Sequence, residues 1–213
     1  MRIKPRLTPL KSIYLAGIIE AGCDEAGRGC MAGPVCAAAV IFPEDIYIEG
    51  LYDSKQISAK KREQLKEIIM HKAIDYAVSF VDNIEIDKIN ILNASIKAMH
   101  QALEQLKHRP MHILIDGNRF KQYKDIPHHT IIRGDSTYAS IAAASILAKT
   151  SRDELLKELH LKYPEYNWSA NKGYPTEEHR KAIKKFGITP YHRKTFLTNL
   201  QQLSLPFYSA EIV

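Results

Sequence analysis

Apolar residues recur along the chain with two spacings, and these spacings separate predicted strands from predicted helices. Runs of about 4–8 residues that alternate between apolar and polar, or that are almost wholly apolar, are typical of strands. Apolar residues three or four positions apart are typical of a helix with one buried face. The chain shows strand patterns at 18–23, 35–42, 73–81, 111–115 and 128–132, and helix patterns at 58–71, 85–107, 137–161 and 176–186.

The order of these elements indicates the fold class. Helices interleave with strands along most of the chain, which predicts an α/β fold with a mixed β-sheet flanked by helices. Capping residues support two of the helix ends, because Ser58 can cap the first helix and Gly187 can end the last one. The sequence contains no internal repeat and no obvious interdomain linker. We therefore expect one compact unit.

The composition is typical of a soluble protein, and the charge is distributed unevenly along the chain. The 213 residues are 45% apolar and 25% charged, close to the average for soluble domains, which excludes disordered, collagen-like and coiled-coil chains. The formal net charge is +6, and the segment 157–194 alone carries +5. That segment also contains five tyrosine or tryptophan residues, and cations interleaved with aromatics suit a nucleic-acid surface. The alternative is a solvated helix face above core aromatics. The five are Tyr163, Tyr166, Trp168, Tyr174 and Tyr191.

Cysteine spacing and the N-terminus bear on cellular location. Cys23, Cys30 and Cys36 lack the close pairs of a zinc site and fit a reducing compartment. An apolar run of seven residues, 13–19, is at the short limit for a secretory signal. No run approaches the length of about 20 residues that a membrane-spanning helix needs. We expect a cytoplasmic protein that does not contact membranes.

Acidic residues lie at the ends of three predicted strands. Asp24 and Glu25 follow the first, Asp116 follows the fourth, and Asp135 follows the fifth. Ligands of α/β sheets gather beyond strand ends, so these carboxylates can form one cluster. A cluster of carboxylates repels itself unless cations bind, and Mg²⁺ and Mn²⁺ prefer such oxygen ligands. Two such ions form the clamp of in-line phosphodiester hydrolysis.

Each of these acids also has an ordinary explanation. Asp116 before Gly117 is common turn chemistry, and Asp135 can cap the following helix. Adjacent strand residues point to opposite faces, so Asp24 and Glu25 can share a site only if the strand breaks there, as the nearby glycines would permit.

An ordered set of motifs over about residues 18–196 resembles the ribonuclease HII family. The motifs are Asp24-Glu25-Ala26-Gly27-Arg28-Gly29, Gly33-Pro34-Val35, Asp53-Ser54-Lys55, Ile115-Asp116-Gly117-Asn118, Gly134-Asp135, the stretch 141–149, Arg152-Asp153, Lys172-Gly173-Tyr174 and His192-Arg193. The resemblance implies a ribonuclease H-like core at 18–160, a helical substrate-binding extension at 161–213 packed with the core as one unit, and a short basic segment at 1–17.

The family's activity is implied by the same resemblance. Its members hydrolyse the RNA strand of RNA–DNA hybrids and nick 5′ of single ribonucleotides in duplex DNA, which leaves 3′-OH and 5′-phosphate ends and serves ribonucleotide removal. They use Mn²⁺ or Mg²⁺, one ion without substrate and two with it. By motif match, Asp24, Glu25, Asp116 and Asp135 are the catalytic and metal-binding carboxylates.

Substrate-binding residues are also implied by the resemblance. The turn Gly27-Arg28-Gly29 matches the loop that senses the ribonucleotide, and Tyr174 matches the tyrosine that packs on the ribose at the RNA–DNA junction. Residue 175 is Pro, where many relatives have Gly. The remaining matches are cations that we expect to meet phosphates, although each could instead be a surface charge or a structural pair. They are Lys55, Lys149, Lys172 and Arg193.

Other functions fit the sequence less well. The sister enzyme ribonuclease HIII shares the carboxylates but normally lacks the Gly-Arg-Gly turn and carries an extra N-terminal domain. A non-catalytic nucleic-acid-binding module would be expected to lack a carboxylate, and a small-molecule phosphohydrolase would not need the basic C-terminal region. We expect a monomer. A sliding-clamp motif after residue 196 is conceivable, but a docked C-terminal segment is the preferred interpretation.

Overall fold

The sheet at the centre of the protein has five strands and combines parallel with antiparallel pairing. In the computed structural model, which describes residues 9–51 and 57–197, the strands are β1 Glu20–Ala26, β2 Val35–Ile41, β3 Asp75–Val81, β4 His112–Asp116 and β5 His128–Ile131. Their order across the sheet is β3-β2-β1-β4-β5. The first three strands pair antiparallel, whereas β4 and β5 run parallel to β1. The ends of β1 and β4 therefore meet at one edge of the sheet.

Helices cover both faces of this sheet, which confirms the predicted α/β architecture. They are α1 Ala59–Lys72, α2 Asn83–Ile89, α3 Ile91–Gln105, α4 Ala139–Lys162, α5 Trp168–Asn171 and α6 Glu177–Phe186. Side chains of β2 alternate between the two layers, since Ala37 and Ala39 pack towards α3 whereas Cys36 and Ala38 pack towards α4. Burial of both faces explains why β2 is apolar at every position.

Helix α4 lies unusually close to β1. A Cβ atom added at Gly22 would be 2.4 Å from the main-chain carbon of Ser140, so only glycine fits there. The alanine run 142–144 near the start of α4 is fully buried, which agrees with this short separation. Ser145 lies one residue beyond that run, and α4 therefore carries it across the sheet towards the end of β1.

Two sequence-based boundaries differ from the structure. The helix predicted over 85–107 is two helices, because Asn90 has a positive φ of 66° and caps α3 by accepting from the amide of Asn93. The first strand does not break at Asp24 and Glu25, as the shared-site argument required, but continues to Ala26 while pairing with β2. The turn comes one residue later, at Gly27. The predicted caps Ser58 and Gly187 are confirmed.

The region 163–197 packs on the C-terminal half of α4. Tyr166 and Trp168 are buried in a small core with Leu156 and Leu159 of α4. The aromatics of the basic segment are thus mostly core residues, and the surface interpretation holds best for Tyr174, which is 41% exposed. No described helix is long and apolar enough to span a membrane.

Candidate active site

A pocket of about 440 Å³ opens at the sheet edge where β1 and β4 end. Its walls bring together three of the predicted carboxylates with residues from three distant parts of the chain. The acids are Asp24, Glu25 and Asp116, and they lie opposite α4 and the segment around Tyr174. Parallel pairing of Cys23 with Ile115 explains the meeting, because the next residue on each strand is an aspartate.

Asp24 is the most enclosed of these acids. It is buried on the face of β1 that packs against α4, where its carboxylate hydrogen-bonds Ser145 and accepts the amide of Glu25 at 2.7 Å. Burial raises the pKa of Asp24 well above its usual range, and the nearby charges of Glu25 and Asp116 raise it further. Ser145 was not predicted as a site residue.

Glu25 and Asp116 are held by different partners. Glu25 pairs with Arg28, whose Nη1 lies 3.0 Å from Oε1. Burial raises the pKa of Glu25, and this hydrogen bond with Arg28 partly opposes that rise. Asp116 Oδ1 accepts the main-chain amide of Gly134 at 2.7 Å, which ties β4 to the turn that carries Asp135.

Asp135 lies behind the pocket rather than in its wall. It is buried in the short 3₁₀ turn Gly134–Ser136, directly after the amide that holds Asp116. Asp135 does not cap the following helix, because α4 begins at Ala139 and its N-cap residue is Tyr138. The structure therefore brings Asp24, Glu25 and Asp116 together and leaves Asp135 adjacent to them.

The chemistry of the three pocket acids fits a hard divalent cation. Their oxygens are the donors that Mg²⁺ and Mn²⁺ prefer, and the mutual repulsion that raises the pKa of Asp24 is what such a cation would offset. Within residues 9–51 and 57–197, however, no three acidic, histidine or cysteine side chains are already grouped as ligands of one ion. Glu25 Oε1 hydrogen-bonds Nη1 of Arg28, and the second oxygen of the carboxylate could serve as an ion ligand.

The turn between β1 and β2 needs glycine at its first position. Gly27 has a φ of 92°, and a Cβ atom there would lie 2.1 Å from Nε of Arg152. Gly29 has open space around it, with no heavy atom within 4 Å of an added Cβ. Arg28 extends from this turn with about half of its side chain exposed. Main-chain groups of the turn are consequently accessible from the pocket.

Tyr174 stands across the pocket from this turn. Its hydroxyl hydrogen-bonds the thiol of Cys30, and its carbonyl accepts from Nδ1 of His179 at 2.9 Å. The hydroxyl and the main chain of Tyr174 are therefore both held, yet the residue remains 41% exposed. Pro175 does not disturb this arrangement, since the amide of Thr176 still reaches the Tyr174 carbonyl at 2.8 Å.

The four cations that were expected to meet phosphates differ in their location and in their bonding partners. Lys149 lines the pocket and lies 3.6 Å from Asp153 Oδ2. Lys172 donates to the carbonyl of Ser169, and burial lowers its pKa. Arg193 is fully buried outside the pocket and bonds main-chain carbonyls, which favours a positioning role over a phosphate contact. Lys55 lies outside the described residues.

Arg152 lines the pocket and, like Ser145, was not predicted as a site residue. It is 2% exposed and lines the pocket together with Ser145 and Lys149 of the same helix. The spacing Ser145, Lys149, Arg152 is the i, i+4, i+7 spacing of one helix face, and it was the available signal. Asp153, the next residue of α4, lies 3.6 Å from Lys149 and 4.0 Å from Arg62.

Comparisons with known proteins agree with one another. The family model described as Ribonuclease HII matches residues 21–199. The Ribonuclease HII of Parabacteroides distasonis is 64% identical over 191 residues, which cover 90% of this chain and 96% of that protein. The crystal structure of ribonuclease H2 from Pyrococcus horikoshii OT3 has a TM-score of 0.74 at 26% identity, covering 87% of this chain and 98% of the other.

A more distant structure shares the fold. Bst-RNase HIII in complex with Mn²⁺ has a TM-score of 0.64 at 18% identity, covering 85% of this chain and 64% of that one.

Proposed function

Because the chain belongs to the ribonuclease HII family, we propose that it hydrolyses the RNA strand of RNA–DNA hybrids and nicks duplex DNA on the 5′ side of single ribonucleotides. Family membership makes the protein a ribonuclease H, an endonuclease that acts on nucleic acid with a divalent metal ion. The proposal concerns the finer points, which are the substrates, the ions and the residues.

One observation carries this proposal. A single pocket contains three carboxylates, the turn Gly27–Gly29 and the half-exposed ring of Tyr174. A pocket for hydrolysis alone would need the acids but not the other two features. Their combination supports an enzyme that examines the sugar next to the bond it cleaves.

The acids have the proposed role of holding Mg²⁺ or Mn²⁺. Asp24, Glu25 and Asp116 would be the first ligands, and Asp135 would join them when substrate brings a second ion. When bound, such ions activate the attacking water and stabilise the leaving oxygen. The chain itself prepares the site: Ser145 and the amides of Glu25 and Gly134 orient the carboxylates. Arg28 keeps Glu25 at the pocket wall.

The turn and the tyrosine have the proposed role of recognising ribose. Gly29 is exposed, with open space where a side chain would be, so main-chain groups there can approach a 2′-OH closely. Gly27 is buried against Arg152 and would give the turn its shape. The ring of Tyr174 would pack on the neighbouring sugar, where a deoxynucleotide leaves it unobstructed. Hydrolysis would leave 3′-OH and 5′-phosphate ends, and the role in the cell would be ribonucleotide removal during replication and repair.

The remaining assignments follow the same proposal. Residues 161–213 would be the substrate-binding extension, with Lys149 and Lys172 near the phosphates, and the protein would act as a monomer. Arg193 is reassigned here from phosphate binding to positioning. The sister enzyme ribonuclease HIII is disfavoured because the TM-score to its structure is 0.64, compared with 0.74 for ribonuclease H2.

The experiment is cleavage of labelled duplex DNA containing one ribonucleotide, alongside an RNA–DNA hybrid, with Mg²⁺, with Mn²⁺ and with chelator. We expect a single nick 5′ of the ribonucleotide, ends that carry 3′-OH and 5′-phosphate, and no cleavage with chelator. Asp116→Asn should nearly abolish cleavage while the fold remains intact, because it removes one of the metal-bearing charges. Uncut single-ribonucleotide duplex, or near-normal cleavage by Asp116→Asn, would refute the proposal.

A further inference from the structure

The loop that follows the sugar-sensing turn is held mainly by two buried arginines. Arg152, from α4, donates to the carbonyls of Ala32 and Pro34 at 3.0 and 2.9 Å. Arg193, from the C-terminal region, donates to the carbonyls of Arg28 and Gly33, both at 2.9 Å. The carbonyl of Arg28 belongs to the sensing turn itself. Both guanidinium groups therefore bond main-chain atoms of one loop, residues 28–34.

Arg152 also connects this loop to the segment that carries Tyr174, whereas Arg193 anchors the loop itself. A further nitrogen of Arg152 donates to the carbonyl of Lys172 at 2.9 Å. Main-chain bonds run alongside, from the amide of Met31 to the Gly173 carbonyl and from the amide of Arg193 to the Met31 carbonyl, each at 2.8 Å. The position of Tyr174 relative to the sensing turn is thus fixed by these bonds.

Packing leaves little freedom for this connection. The stem of Arg152 lies directly beneath Gly27, where a Cβ atom would come within 2.1 Å of Nε. Gly173 is equally close to the loop, because a Cβ atom there would be 2.6 Å from the Ala32 carbonyl oxygen. A shift of Arg152 would therefore move both sides of the sugar-recognition site, and a shift of Arg193 would move the side formed by the turn.

A role in fold stability alone does not explain the choice of arginine. Burying a cation is costly unless hydrogen bonds compensate, and similar volume can be filled by apolar residues at no such cost. A guanidinium offers five N–H donors in a rigid planar fork, so it can hold several carbonyls at fixed separations, which a lysine ammonium cannot. Fixed geometry matters most where the two halves of a recognition site must keep their distance.

We propose that Arg152 and Arg193 are positioning residues for ribonucleotide discrimination. They set the distance between the Gly27–Gly29 turn and Tyr174, whereas the carboxylates that carry out hydrolysis are held by other bonds. The inference rests on the proposed recognition of single ribonucleotides. Loss of either guanidinium group would accordingly weaken cleavage at a single ribonucleotide more than cleavage of a long hybrid. In a hybrid, the enzyme can bind at many neighbouring riboses.

The test compares kcat and KM on a duplex with one ribonucleotide and on an RNA–DNA hybrid, for Arg152→Met, Arg152→Lys and Arg193→Lys. We expect the ratio of kcat/KM between the two substrates to fall at least about tenfold, since small displacements of bound groups cost up to about a hundredfold. The loss should appear mainly in kcat for the single-ribonucleotide duplex, because the phosphate contacts that govern binding remain.

The controls separate this inference from the proposed function and from misfolding. Lys97→Met removes a cation from α3, on the opposite face of the sheet, where it pairs with Glu85, and should leave the ratio unchanged. Circular dichroism and thermal melting identify folded variants, and Arg152→Lys keeps the charge if Arg152→Met does not fold. An unchanged ratio in a folded variant overturns the inference, whereas failure of the unmodified protein to cut the single-ribonucleotide duplex overturns the proposed function instead.

Discussion

Lowering the pH from 7 to 4 will destabilise the protein through His192, because this histidine is buried without its proton. The side chain is 1% exposed. Its Nδ1 accepts the amide of Thr189 at 2.9 Å, so the ring proton is on Nε2, which faces Nε2 of His179 at 3.1 Å. His179 in turn accepts from Trp168 and donates to the Tyr174 carbonyl. With both rings neutral, Nε2 of His179 is the shared acceptor for Trp168 and His192, and a proton added to Nδ1 of His192 would face the amide proton of Thr189.

The magnitude follows from the pKa of His192. Burial, with a smaller effect of His179, lowers that pKa from 6.5 to about 4. Between these values the unfolded chain binds a proton that the folded chain does not, so stability rises with pH in this window. The contribution is complete above about pH 6.5 and is lost as the pH falls towards 4. At about 1.4 kcal/mol for each pH unit, the loss in the free energy of unfolding is about 3 kcal/mol.

The assay is urea unfolding at a series of pH values for the unmodified protein and for His192→Gln. Glutamine can still donate to His179 but does not titrate, and all carboxylates titrate in both proteins. The difference between the two free energies of unfolding therefore isolates His192, and it should change by about 3 kcal/mol between pH 7 and 4. The variant His71→Gln, which replaces an exposed histidine, controls for the loss of one imidazole. A difference that stays constant with pH would refute the reasoning.

Five further substitutions, in three experiments, have definite expected outcomes. Gly27→Ala should lower the free energy of unfolding, measured with urea, by more than about 2 kcal/mol, because Gly27 has a positive φ and contacts a buried guanidinium. Gly29→Ala should lower it by less than about 1 kcal/mol, because the added Cβ meets open space. Equal losses would contradict this reasoning. Tyr174→Ala should impair cleavage at a single ribonucleotide more than cleavage of a hybrid, and equal loss on both would argue against junction reading. Asn90→Ala should cost about 1–2 kcal/mol through loss of the cap and strain at positive φ, and Asn90→Gly clearly less, as thermal melting would reveal.

Much of the fold could be predicted from the sequence because its strands and helices have strong periodic patterns. The α4 helix and the strand β2 were found within two residues of their ends. The break at Asn90 was not found, since the apolar spacing continues across it and a positive φ at asparagine leaves no periodic signal. The continuation of β1 to Ala26 was also missed, because the glycines that permit a turn do not fix where it starts.

The candidate site was predicted less evenly. The carboxylates could be placed together because strand ends in a layered α/β fold meet at one edge, and three of them do line one pocket. Arg193 was expected to meet phosphates, but charge alone does not reveal whether a cation is exposed, and this one is enclosed among main-chain carbonyls. Arg152 was overlooked for the same reason, since only its helical spacing from Ser145 and Lys149 marks it as inward-facing.

Because Arg193 lies near the end of the chain, the sensing turn gains its second arginine anchor late in synthesis. Arg193 bonds carbonyl groups that precede it by 160 and 165 residues. At about 5–20 residues per second, the ribosome needs roughly 10–30 seconds to make the intervening chain. Throughout that interval the nascent chain already contains the sensing turn but not its second anchor. A chain that ended before Arg193 would carry every predicted carboxylate, but its sensing turn would be anchored by Arg152 alone.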